Sequence, residues 1–173
     1  MSRILRDETS GNCIFIGGKA DAKSIQTIKE NGITHILNVT PTKDSGLEGG
    51  LANFFERSSV VGNKLVYKRI PVMDIPGEDL KAHASAAVKF IKTGLFYGSV
   101  LVHCRKGQSR SCTCACFYLI KERGMTAEEA LGVCREGRPG CNPIESFVRQ
   151  LKEYQVDCGV KEGAGRDPPS TKS

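Results

Sequence analysis

The segment VLVHCRKGQSRS, residues 100–111, runs from apolar, β-branched residues through His103 to Cys104 and places Arg110 six positions later. A loop of this composition, between the C-terminal end of a strand and the start of a helix, is a natural anion site. Its unpaired backbone N–H groups point inward and the helix dipole favours negative charge. Gly107 lets the backbone turn where a side chain would obstruct it, and the Arg110 guanidinium can grip two oxygens of a phosphate. The same surroundings stabilise a thiolate: at a helix N-terminus beside basic groups the pKa of a cysteine falls to about 3.5–7.5, against about 8.5 for a free thiol. Cys104 therefore reads as an anionic nucleophile below a bound phosphate, suited to in-line attack on phosphorus. A phosphocysteine and its hydrolysis would follow. The cysteine–arginine spacing alone is weak evidence in a chain with eight cysteines. Its weight comes from the strand-like run before it, from His103, Gly107, Ser109 and Ser111, and from the apolar stretch beyond. The competing reading is an ordinary strand-to-helix turn.

Attack by a thiolate leaves an alkoxide or phenoxide in need of a proton, so a carboxylic acid is expected on a nearby loop. The candidates are Asp74, Glu78 and Asp79. Asp79 directly precedes an amphipathic helix and is explained as its N-cap. Asp74 follows the strand end IPVM and precedes a Pro-Gly turn, where a carboxyl can swing over a pocket; a plain Asx turn is the alternative. Ser111 is placed to hydrogen-bond the Cys104 sulfur and ease its departure, or is simply a serine in the first turn of a helix. Ser109 is expected to shape the loop. His103 is expected to orient it and support the thiolate rather than transfer protons, a merely packed imidazole being the alternative. Arg105, Lys106, Gly107 and Gln108 complete the loop as substrate-facing residues, although solvated surface charge is an equal reading for Arg105 and Lys106. His35 and His83 read as incidental.

Positioning these groups falls to elements that the sequence marks out in turn. Residues 13–18 (CIFIGG), 34–40 (THILNVT), 64–72 (KLVYKRIPV) and 99–103 (SVLVH) read as strands, the last apolar enough to lie centrally in a sheet. A helix is expected over residues 21–31 with Gly32 as its stop. Leu80, Ala84, Ala87, Val88 and Ile91 follow helical spacing. Residues 109–123 are apolar nearly all round, as in a buried helix. Thr126 with Glu129 makes a capping box, and Pro143 is expected at the first position of the last helix. Residues 41–63 read as a long loop with a short helix near LANFFER. Strands alternating with helices, then a run of helices, point to an α/β domain with a mainly parallel sheet. Its expected extent is residues 12–158, after a lead segment (1–11) and before a Gly/Pro/Ser-rich tail (159–173) expected to be disordered.

A chain of 173 residues, 39% hydrophobic and 25% charged, can bury a core as one domain. The formal charge of +6 favours anionic partners. Phosphoproteins, acidic lipid headgroups and nucleic acid all qualify, and charge alone does not choose among them. No apolar run approaches the ~18 residues of a membrane span, and the N-terminal residues lack the apolar stretch of a signal peptide. The eight cysteines include no CxxC pair and read as reduced thiols of an intracellular protein. Cys112 and Cys116 share a helix face while Cys114 points elsewhere. With no histidine at suitable spacing, these read as small buried hydrophobes, and no metal is implied.

HCRKGQSRS, residues 103–111, resembles the H-C-x-x-G-x-S-R-S/T signature of cysteine-dependent dual-specificity protein phosphatases, within the protein tyrosine phosphatase superfamily. GITHILNVT, YKRIPVMD, SVLVHC and RPGCNPIESFVRQL look like further landmarks of that family, in its order, so the resemblance covers about residues 12–155. It implies a mostly parallel five-stranded sheet flanked by helices, with a phosphate-binding loop between strand and helix. It also implies hydrolysis of phosphotyrosine and phosphoserine or phosphothreonine in proteins, without metal or organic cofactor. Asp74 aligns with the family's general acid, Ser111 with its hydroxyl beside the nucleophile, and Asn142 with a residue that braces the loop in some relatives, where a helix cap is an equal explanation. Some relatives trap the oxidised nucleophile with a second cysteine, so such a role stays open here. Arg105 and Lys106 make the loop more basic than usual, which keeps open a phosphoinositide or other polyanionic phosphate as substrate, with an anionic lipid headgroup as partner. Gln108 stands where the superfamily's phosphoinositide phosphatases carry a lysine, and favours protein substrates. A non-catalytic phosphoprotein-binding pseudophosphatase is the third reading. The expected location is the cytoplasm, with the nucleus as alternative, and no nucleic acid partner is expected.

Overall fold

In the computed structural model, which describes residues 1–45, 50–56 and 65–161, five strands form one sheet. They are β1 (Ser2–Arg6), β2 (Cys13–Gly17), β3 (Ile33–Asn38), β4 (Val66–Arg69) and β5 (Ser99–His103), in the order β1-β2-β5-β3-β4. Only β1, against β2, is antiparallel; β2, β3 and β4 join the sheet through parallel pairings with Ile14 opposite Val100, Leu37 opposite Val102 and Ile36 opposite Tyr67. Every residue of β5 is buried, as a central strand of a doubly covered sheet requires. Its side chains alternate between two cores: Val100 and Val102 join Ile14, Ile16 and Leu37 on one face, and Leu101 joins Phe15 and Ile36 on the other.

The helices are α1 (Lys19–Lys23), α2 (Ile25–Glu30), α3 (Ala84–Tyr97), α4 (Arg110–Arg123), α5 (Ala127–Gly137) and α6 (Glu145–Asp157). Ala22 of α1 and Ile28 of α2 fill the smaller core, and α3 to α6 cover the larger one. Helix α4 lies at the centre of that cluster and packs on α3, α5 and α6, so its residues from Arg110 to Ile120 are all buried. That position explains why its sequence lacks a polar face. Gly124, at φ 64°, ends it in the left-handed region, and the Thr126–Glu129 capping box opens α5.

Several elements differ from their sequence expectation, each for a local reason. The helix expected over residues 21–31 is two short helices, because Ser24 is extended (ψ 98°) and its Oγ accepts the Thr27 N–H at 3.2 Å as the cap of α2. Asp79 does cap, but it accepts from Ala82 N–H at 3.0 Å and opens a 3-10 turn, Lys81–His83, ahead of α3. Pro143 is not the first helical residue: the Asn142 N–H is bound to Gln108 O at 2.9 Å, which keeps the chain in a loop, and Ile144 is the N-cap of α6. Residues 54–56 form a turn rather than a helix. The rest of the expected 41–63 loop falls partly on residues 46–49 and 57–63, outside the described residues, as do residue 64 of the strand expected over 64–72 and most of the expected tail. Residues 2–6, read from sequence only as part of a lead segment, form edge strand β1. Among the described residues no helix is long and apolar enough to cross a membrane.

Candidate active site

β5 ends at His103, α4 begins at Arg110, and the loop between them wraps back over the sulfur of Cys104. Its curvature depends on Gly107, whose φ is 71° and whose missing Cβ would stand 2.5 Å from the Gly17 carbonyl carbon and oxygen. The loop therefore rests on the Gly17-Gly18 turn after β2. Its carbonyls are tied outward: Arg105 O accepts the Lys19 N–H at 2.9 Å, Arg138 Nε donates to Gly107 O at 2.7 Å, and Arg138 Nη2 donates to Lys106 O at 3.1 Å. With the oxygens held outside, N–H groups turn in, and Gly107 N–H donates to Cys104 Sγ at 3.3 Å.

Cys104 is 2% exposed. Burial on its own would raise the thiol's pKa. The Ser111 hydroxyl, 3.3 Å away, the Ser111 N–H, the Arg110 charge and the Gln108 N–H outweigh that effect and hold it below its ordinary value. His103 is buried, and burial pushes its imidazole down to about 4. It is neutral at pH 7 and brings no charge to the sulfur; its carbonyl accepts the Val39 N–H at 2.8 Å and fixes the strand end.

Arg110, 5% exposed, donates from Nη1 to Val72 O at 3.0 Å, so its orientation is set by the segment that follows β4. Among the described residues its buried Nε–H has no hydrogen-bond partner, so it is a donor available to an anion. Two residues after Val72, the exposed Asp74 carboxylate accepts a hydrogen bond from Ser109 Oγ at 2.6 Å, while Ser109 Oγ accepts from Ile144 N–H at 3.3 Å. Ser109 thus joins three segments. The result is a cavity of about 490 Å³ with Cys104 and Arg110 in its lining, Asp74 at one side, and Arg105, Lys106 and Gln108 at the exposed rim. Asn142 also lines it. His35 and His83 do not; His35 stacks on Tyr97 with ring centroids 5.8 Å apart.

The sequence reading did not find Arg138 or the support role of Gly17-Gly18. An arginine between glycine and proline at a helix end was the available signal for the first. The paired glycines after a strand were the signal for the second.

A profile of the dual specificity phosphatase catalytic domain matches residues 14–157. The chain belongs to the dual specificity phosphatase family. It is 34% identical over 143 residues to dual specificity protein phosphatase 22 of Mus musculus, covering 82% of this chain and 70% of the relative. It is 32% identical over 167 residues to dual specificity protein phosphatase 1 of Arabidopsis thaliana, covering 94% and 77%. Among solved structures, human DUSP28 superposes with a TM-score of 0.74 at 25% identity, over 92% of this chain and 98% of the other. Its five-stranded, mostly parallel sheet with flanking helices is the fold of those phosphatases. Membership makes this a cysteine-dependent protein phosphatase, in line with the resemblance carried by residues 103–111.

Proposed function

We propose that the chain removes phosphate from phosphotyrosine and from phosphoserine or phosphothreonine of proteins, with Cys104 as nucleophile and Asp74 as acid and then base. One juxtaposition carries this assignment: the Asp74 carboxylate is hydrogen-bonded to Ser109 of the loop that encloses the Cys104 sulfur. In the first step Cys104 Sγ bonds to phosphorus, the ester P–O bond breaks, and Asp74 gives its proton to the departing oxygen. In the second, Asp74 takes a proton from water as the water oxygen bonds to phosphorus; the S–P bond breaks and inorganic phosphate leaves. Arg110 and the N–H groups of residues 105–110 hold the non-bridging oxygens through both steps. The Ser111 hydroxyl stabilises the sulfur as it departs, and the neutral His103 orients the loop. Arg105, Lys106, Gly107, Gln108 and Ser109 form the substrate-facing wall.

The exposed Arg105 and Lys106 at the cavity rim support a second reading, hydrolysis of a phosphoinositide headgroup. All eight cysteines are free, which supports a reducing compartment, the cytoplasm or the nucleus. The test is hydrolysis of an aryl phosphate with EDTA present, under reducing conditions. Turnover should vanish in Cys104→Ser and fall by about 10²–10⁴-fold in Asp74→Asn. A folded, reduced wild type without turnover overturns the catalytic reading and favours phosphoprotein binding. Comparing kcat/KM for phosphopeptides and phosphoinositides then decides the substrate class.

A further inference from the structure

One turn into α4 lies a second group of thiols that the phosphatase chemistry does not use. Cys112 and Cys116 face α5 and meet Cys134 there; the three sulfurs lie within 4.8 Å of one another. Cys116 Sγ and Cys134 Sγ are 3.6 Å apart, and all three residues are 0% exposed. Cys114, on α4 and equally buried, stands outside the group.

Thiolates about 2.3 Å from a tetrahedral zinc ion sit about 3.8 Å from one another. The Cys116–Cys134 separation is close to one edge of such a tetrahedron, and it is far longer than a disulfide, about 2.05 Å. We infer that Cys112, Cys116 and Cys134 form a three-thiolate structural site for a soft divalent cation of the zinc(II) type.

Because the thiols are sealed from solvent, the ion enters as the chain folds; each ligating thiol loses its proton as its sulfur–metal bond forms. The bound ion ties α4 to α5. This inference does not depend on catalysis.

The test uses the full chain carrying Cys104→Ser, which removes the active-site thiol, refolded in reductant with cadmium(II) as probe. A thiolate-to-cadmium charge-transfer band should saturate at one equivalent. The melting midpoint should rise by about 8–16 °C at a thousandfold excess over Kd. Both effects should disappear when Cys134→Ala is added and persist when Cys13→Ser is added instead. If the Cys134→Ala protein does not fold, the stoichiometric band and melting shift of the Cys104→Ser protein decide the matter. Absence of a band saturating at one equivalent, or its survival undiminished in Cys134→Ala, overturns the site and leaves the cluster as core packing.

Discussion

Cys104 and Cys114 are buried to nearly the same degree, 2% and 0% exposed, yet the protein treats their sulfurs in opposite ways. Burial pushes the Cys114 thiol well above its ordinary range, with the neighbouring thiols of Cys104 and Cys112 adding to the effect. Burial acts on Cys104 in the same direction, but there Ser111, Arg110 and the loop amides reverse the outcome. Exposure therefore does not separate a reactive thiol from an inert one in this fold. The difference lies in whether the chain has spent backbone donors on the sulfur or left them in a helix. Cys114 sits in the body of α4, where the amides are already bonded to carbonyls; Cys104 precedes it, where they are not.

The largest effect is expected from Gly107→Ala. A Cβ cannot share space with the Gly17 carbonyl, and the φ of 71° is unfavourable for alanine. Losing the aimed amides should lower kcat/KM by about 10²–10³-fold, and alkylation of Cys104 should slow toward that of the buried thiols. An unchanged alkylation rate would show that the loop amides do not govern the sulfur. Ser111→Ala is a finer cut. It removes a hydrogen bond that lowers the Cys104 pKa, so the pKa rises and the thiolate forms only at higher pH. The ascending limb of the kcat/KM profile should move to higher pH, and kcat should fall about tenfold, the equivalent of one hydrogen bond. A limb that stays in place assigns the lowering to Arg110 and the amides alone. The smallest effect belongs to Cys114→Ala. It should leave kcat/KM within about twofold while lowering stability by ~1 kcal/mol, read from thermal unfolding. A large kinetic loss there would mean that the two sulfurs are coupled.

Local signals account for what was legible in the sequence. The run Val100–Leu101–Val102 followed by a glycine-bearing turn and an all-apolar stretch specifies a buried strand, a loop and a buried helix within 24 residues, without help from elsewhere. β1 escaped because SRILR places two arginines in a five-residue edge strand, whose strand character comes from pairing with β2. The break at Ser24 escaped because the hydrophobic spacing of Ile25 and Ile28 fits one helix or two. Periodicity placed Cys112 and Cys116 on one face of α4. It cannot report that Cys134, from another helix, faces them. Arg138 poses the same problem, since its partners are backbone oxygens on a loop 31 and 32 positions earlier.

The strand order has a consequence for how the chain reaches this state. β1 and β2 can pair as soon as they are made, and β3 with β4 later, but the two pairs are neighbours only through β5. Until residues 99–103 exist, the nascent sheet is two separate halves, each with an unpaired apolar edge. Joining them requires parallel pairing across 86 positions, Ile14 to Val100, a non-local step of the kind that slows folding and leaves edges open to other chains. Truncation before β5 thus yields two sticky ribbons rather than a smaller domain, and the nucleophile arrives on the ribosome one residue after the strand that closes the sheet.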